Sequence, residues 1–122
     1  MKVCITSQGD NLDSEVDPRF GRCQYFVIVD TESLDFEAIK NPYMDSMGGS
    51  GIQAGQFILE NKATVVLTGN VGPNAFRTLN AAGIKVVTGV SGKISSAVES
   101  YKKEELKTTD GPSVDSHFGT GK

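Results

Sequence analysis

Three short runs of this sequence bring together residue types that can hold a ligand. In Arg19-Phe20-Gly21-Arg22-Cys23 two guanidinium groups stand near a thiol. A guanidinium offers a planar fork of donors suited to carboxylate or phosphate, and its charge favours the thiolate form of Cys23. A thiolate is a ligand for iron–sulfur species. The plainer reading is that a cysteine bordering a buried strand is a small apolar filler. One thiol also falls short of the several that clusters normally use. The second run, Gly48-Gly49-Ser50-Gly51, precedes a helical pattern. Its backbone N–H groups would face outward at the positive end of that helix, where glycine permits close approach and the dipole favours an anion. It lacks the Gly-Lys-Ser/Thr ending of a nucleotide P-loop, and a flexible turn with a Ser cap would look the same. The third run, Gly69-Asn70-Val71-Gly72-Pro73-Asn74, follows an apolar strand pattern and opens a helix at Pro73. In parallel α/β sheets ligands collect outside the carboxyl ends of the strands, so this loop and the Gly48 loop could line one crevice. A well-formed turn with Pro73 at the helix start accounts for the same residues.

His117, the single histidine, stands near the end of the chain and could reach an exposed coordination position if a metal sat near the glycine loops. A solvated tail residue is the simpler account. Met44 and Met47 could offer thioether contacts, though adaptable packing explains them as well. Conspicuously, no Ser-His-Asp or Cys-His set can be assembled from one histidine. The clustered carboxylates that a two-metal nuclease needs are missing from the first strand. Asp10, Asp13, Glu15 and Asp17 fall in the loop after it and read as keeping that loop solvated. The expectation is a protein that is not an enzyme.

The elements that must position these runs follow from the apolar pattern. Lys2–Thr6 reads as a first strand, with Cys4 in the core. Tyr25–Val29 is continuously apolar and reads as a central strand buried on both faces. Leu34, Phe36 and Ala38 alternate with Asp35 and Glu37, which predicts a strand covered on one face. Ala54, Phe57 and Ile58 recur at helical spacing. Thr64–Thr68 reads as a buried strand. Pro73 and Gly83 bracket a helix with Ala75, Leu79 and Ala82 on one face. Ile84–Thr88 reads as a further strand, and Ile94, Ala97, Val98 and Tyr101 mark a third helix. The order β-β-β-α-β-α-β-α predicts an α/β fold: a mixed five-stranded sheet flanked by helices, three-layered, with ribonuclease H-like topology. Residues 1–106 are expected to form one domain, and 107–122 a flexible polar tail. The loop from Ser7 to Arg22 is longer than a hairpin needs, as functional loops often are.

Composition narrows the function further. The 122 residues carry a formal net charge of -3, and 38% are hydrophobic, so a globular domain is expected and no basic stripe points to nucleic acid. No apolar stretch approaches the roughly 20 residues needed to cross a bilayer. Two cysteines make no disulfide framework and lack the spacing of a zinc or thioredoxin motif, which predicts a reducing, cytoplasmic setting. Val16-Asp17-Pro18-Arg19-Phe20-Gly21 is echoed by Val114-Asp115-Ser116-His117-Phe118-Gly119, a match short enough to arise by chance.

Leu12-Asp13-Ser14, Arg19-Phe20-Gly21-Arg22-Cys23 with Tyr25-Phe26, Gly48-Gly49-Ser50-Gly51-Ile52-Gln53 and Gly72-Pro73-Asn74-Ala75-Phe76 occur in this order. As an ordered set they resemble the dinitrogenase iron–molybdenum cofactor biosynthesis family of small accessory proteins, from about residue 1 to 106. The resemblance implies a ribonuclease H-like fold and a role in binding or carrying iron–molybdenum cofactor, iron–sulfur precursors or a related cluster. It also implies cluster donor or acceptor proteins as partners. Many relatives carry histidine where this chain has Arg19, which puts a metal ligand there in doubt. Arg19 could hold an acidic part of a cofactor by charge instead.

The leading expectation is therefore a non-catalytic carrier. Arg19, Phe20, Gly21, Arg22, Gly48 to Gly51, Gly72, Pro73 and Asn74 would contact cargo, with Cys23 and His117 as candidate metal ligands. The alternative is a regulatory module binding a small anionic metabolite or nucleotide through the glycine loops. A third possibility, Cys23 as a nucleophile, requires an activated thiol.

Overall fold

The computed structural model describes residues 1–42, 50–106 and 108. It contains strands β1 (Lys2–Ser7), β2 (Tyr25–Asp30), β3 (Phe36–Lys40), β4 (Val65–Leu67) and β5 (Lys85–Val87), and helices α1 (Ser50–Glu60), α2 (Pro73–Ala81) and α3 (Ile94–Lys102). The order matches the one expected from the apolar pattern. In the sheet the strands lie β3-β2-β1-β4-β5, with β1 antiparallel to β2 and parallel to β4. This is the mixed, ribonuclease H-like α/β arrangement.

Alternation along the strands builds the three layers. Cys4, Phe26, Ile28, Val66 and Val86 face one side and pack with Ala54 and Ile58 of α1 and Ala75 and Leu79 of α2. Val3, Ile5, Val27, Val29, Val65, Leu67 and Val87 face the other and pack with Ile94, Ala97 and Val98 of α3. Each buried Ile or Leu here stabilises the fold by about 1.5–3 kcal/mol relative to exposure. The helix ends follow local chemistry. Pro73 occupies the first turn of α2, where its missing N–H is harmless. Gly83, at φ 78, closes the helix. There Ile84 N–H donates to Leu79 O (2.9 Å) and Gly83 N–H to Asn80 O (3.0 Å), the paired bonds of a left-handed helix stop.

The third strand starts later than its alternation suggests. Leu34, expected to be a strand residue, lies in the turn after β2 at φ 65 and is half exposed. The Asp30 carboxylate accepts Glu32 N–H (2.9 Å) and Ser33 N–H (3.3 Å), and Leu34 N–H donates to Asp30 O (2.8 Å). That side-chain turn overrides the β-like pattern of residues 34–38. Nor is β3 covered on one face only: Ala38 packs against the α3 side and Ile39 against the opposite side, each partly buried. As the outermost strand, β3 carries exposed Phe36.

Among the described residues no helix is long and apolar enough to cross a membrane. The tail expected at 107–122 lies outside the described residues, Thr108 excepted.

Candidate functional site

Strand polarity gathers the loops at one end. The carboxyl ends of β1, β4 and β5 lie side by side, and Ser7 of β1 is in register with Tyr25 at the start of β2. The loops 8–24 and 68–72, and the residues around Asn41 that follow β3, therefore share this end. The first turn of α2 opens there as well.

The Arg19 and Gly69 loops are stitched together. Arg19 and Asn70 form a parallel bridge, Asn70 N–H donates to Pro18 O (2.8 Å) and Phe20 N–H to Asn70 O (3.2 Å). Gly69 is required for that approach: a Cβ there would lie 2.6 Å from Pro18 Cα and 2.9 Å from Pro18 O. A third tether comes from Asn41, 3% exposed, whose Nδ2 donates to Gly21 O (3.0 Å) and Cys23 O (2.9 Å). Below the seam, Thr6 Oγ1 donates to Asp17 O (2.7 Å) and meets Thr68 Oγ1 (2.7 Å).

Asp17 departs from the expectation of a solvated loop acid, being 2% exposed. Its Oδ1 accepts Arg19 N–H (3.0 Å), and its Oδ2 accepts Gln24 N–H (3.3 Å). The same Oδ1 lies 3.5 Å from Arg19 Nε, whose side chain is half exposed. A buried carboxylate needs such donors, because leaving it unpaired out of water is costly. The signal was present in Asp-Pro-Arg, where an Asp side chain can cap the N–H two residues on. The tethers from Asn41 and Asn70 and the close approach at Gly69 were likewise not anticipated, since each depends on distant chain segments.

Other expected site residues fall as follows. Phe20 is buried and packs edge-on against Phe26 at 6.3 Å between ring centres, so it anchors the loop and is closed to ligand as folded. Gly21, at φ 89, is buried and turns the chain between Phe20 and Arg22. Arg22 is exposed on the same loop. Gly72 caps α2 without any side-chain bond to the helix N–H groups, Pro73 follows at its first turn, and Asn74 is exposed beside it. Ser50 and Gly51 open α1, while Gly48, Gly49, Met44, Met47 and His117 lie outside the described residues.

Cys23 corrects the expectation of an arginine-favoured thiolate. Its side chain is fully buried, and burial pushes the thiol up to about 12, with the Asp17 carboxylate adding to the rise. Backbone N–H groups of Cys23, Ser7 and Gly21 pull the other way and lose. The charge that acts on this thiol is thus the Asp17 carboxylate, and Arg19 turns to Asp17. As folded, Cys23 is a protonated core residue and neither an activated nucleophile nor an accessible ligand. Cys4 is also buried, its thiol raised by burial first and by Cys23 second. Among the described residues no three His, Cys, Asp or Glu side chains gather as a metal site.

This end therefore presents two exposed guanidinium groups, Arg19 and Arg22, and the start of α2 beside a hydrogen-bonded seam, on a ribonuclease H-like α/β domain. The chain belongs to the dinitrogenase iron–molybdenum cofactor family, whose sequence profile matches residues 1–104. It is similar to the apo form of the orange protein from Desulfovibrio gigas, with 37% identity, a TM-score of 0.89, and coverage of 93% of this chain and 96% of that one. A candidate NifB protein from Thermotoga is 36% identical, with a TM-score of 0.76 and coverage of 88% and 91%. An uncharacterized protein of Methanocaldococcus jannaschii is 26% identical over 110 residues, covering 88% of this chain and 90% of the relative.

Proposed function

We propose that the protein is a non-catalytic carrier of an anionic metal–sulfur cargo, an iron–molybdenum or iron–sulfur type cofactor or precursor. The observation that carries this reading is the tied loop pair with the Arg19 guanidinium at its rim, while the nearby thiol is buried. Cargo is held by charge and by N–H donors, through Arg19, Arg22 and the first turn of α2. Thiolate coordination by Cys23 has no part in it. Such a grip suits cargo that must be handed on, because no metal–sulfur bond to the protein has to break. Carriage needs no reacting side chain, and the family and the likeness to a protein described in an apo form support the reading. Cluster donor and acceptor proteins are the partners it implies.

Anaerobic incubation with isolated iron–molybdenum cofactor, or with iron and sulfide, tests the proposal. Visible absorption that stays with the protein through gel filtration is expected, and its loss in the Arg19→Ala, Arg22→Ala double variant. Retained absorption in that variant, or none with wild type, overturns it. A small phosphorylated metabolite is the second reading, favoured by the α2 start at Gly72, whose helix N–H groups no side chain caps. Amide shifts at Asn74 and Ala75 with phosphate compounds and none with cluster would select it.

A further inference from the structure

We infer that Asp17 is the positioning residue of this site: it holds Arg19 so that cargo meets the guanidinium end-on, through Nη1 and Nη2. The inference rests on the carrier reading and deepens it. A guanidinium has two bidentate edges, one formed by Nε with an Nη and the other by the two Nη atoms. Asp17 Oδ1 stands 3.5 Å from Nε, an ion-pair contact longer than an ordinary N–H···O bond. With Nε drawn toward a buried carboxylate, the Nη pair is the edge turned to a ligand.

The carboxylate is itself fixed from several sides. Its two oxygens accept Arg19 N–H and Gln24 N–H, and its own backbone is pinned by Asp17 N–H to Thr6 O (2.8 Å) and by Thr6 Oγ1 to Asp17 O. Thr6 in turn meets Thr68, so the support reaches the end of β4. The Arg19–Asp17 pair is half exposed on the arginine side and contributes little stability. Its effect is orientation: a long, rotamer-rich side chain held beforehand loses less freedom when it binds.

Charge and geometry make opposite predictions here, which makes the inference testable. Asp17 is an anion near an anion site, so if it acted only through its field, neutralising it would tighten binding. If it positions Arg19, neutralising it weakens binding. The first measurement needs no ligand. In wild type the Arg19 Nε–H signal should be resolved in nitrogen–proton spectra and exchange more slowly than that of exposed Arg77, and Asp17→Asn should abolish the difference. Equal exchange for Arg19 and Arg77 in wild type overturns the inference.

The second measurement uses molybdate as the probe, titrated into the full chain. Asp17→Asn should weaken binding about tenfold, the equivalent of one charge-assisted contact. In the Arg19→Ala background the same change should weaken nothing. Unchanged or tighter binding in Asp17→Asn, or an equal loss in both backgrounds, overturns the inference. Arg19→Lys guards against an Asp17 variant that does not fold. It keeps the charge without the two-atom edge and should bind as poorly as Arg19→Ala, whereas wild-type affinity overturns end-on recognition. Wild type that takes up neither molybdate nor cluster defeats the carrier reading, and the Nε–H exchange still decides whether Asp17 holds Arg19.

Discussion

Replacing Gly69 by alanine probes the seam directly. The added methyl would lie 2.6 Å from Pro18 Cα, 2.9 Å from Pro18 Cβ and 2.9 Å from Pro18 O. These are backbone and ring atoms, so neither side can yield by a rotamer change. The loops must part, which strains the bonds from Asn70 N–H to Pro18 O and from Phe20 N–H to Asn70 O. Overpacking of this kind costs about 1–3 kcal/mol. Two weakened hydrogen bonds add about 0.5–1.5 kcal/mol each. The expected loss is therefore about 2–6 kcal/mol, read as a lowered midpoint in urea unfolding with an unchanged slope. Gly72→Ala is the matched control: nothing lies within 4 Å of its added methyl and its φ is -82. It should stay within about 0.5 kcal/mol of wild type. A Gly69→Ala protein as stable as the Gly72→Ala one would refute the close approach and the joining of the two loops.

Asn41→Ala should destabilise by about 2–4 kcal/mol, because it strands two buried carbonyls, and it should raise hydrogen exchange in residues 21–24; a loss under about 0.5 kcal/mol contradicts the tether. Phe20→Ala should lose about 3–5 kcal/mol in thermal or urea unfolding, and a smaller loss would mean that the ring is not a core anchor. Cys23 should resist thiol reagents at neutral pH in the folded protein and react only on unfolding; rapid labelling would contradict its burial. Its thiol is raised in the fold from 9.0 to about 12, so the unfolded chain releases this proton first. Stability should accordingly be unaffected by this group below pH 9 and fall as pH rises toward 12, and Cys23→Ala should flatten that fall.

The pattern of apolar residues was enough to foresee the helices and the order of elements along the chain, because both are written locally. Ala54 with Ile58, Ala75 with Leu79, and Ile94 with Val98 all point inward as their spacing implies. Pro73 and Gly83 mark the two ends of α2 by their own backbone limits. The start of β3 was not legible, because Leu34 fits an alternating strand and only the Asp30 turn displaces it. Loop residues were harder still. Asp10, Asp13, Glu15 and Asp17 look alike in the sequence, and burial of the last depends on β1 and Gln24 folding around it. Cys23 was read beside its arginine neighbours in sequence, whereas the fold turns Arg19 to Asp17 and sinks the thiol under Asn41. Local chemistry thus marked the loop that is proposed to meet cargo, and long-range tethers set which of its residues are buried and which are exposed.

The outermost position of β3 bears on how the protein behaves when concentrated. A border strand shows a row of backbone donors and acceptors to any chain that can lie alongside, and exposed Phe36 would reward such a neighbour. Exposed Glu37 and Lys40 interrupt that row with charge, so a visitor must bring matching charges or be turned away.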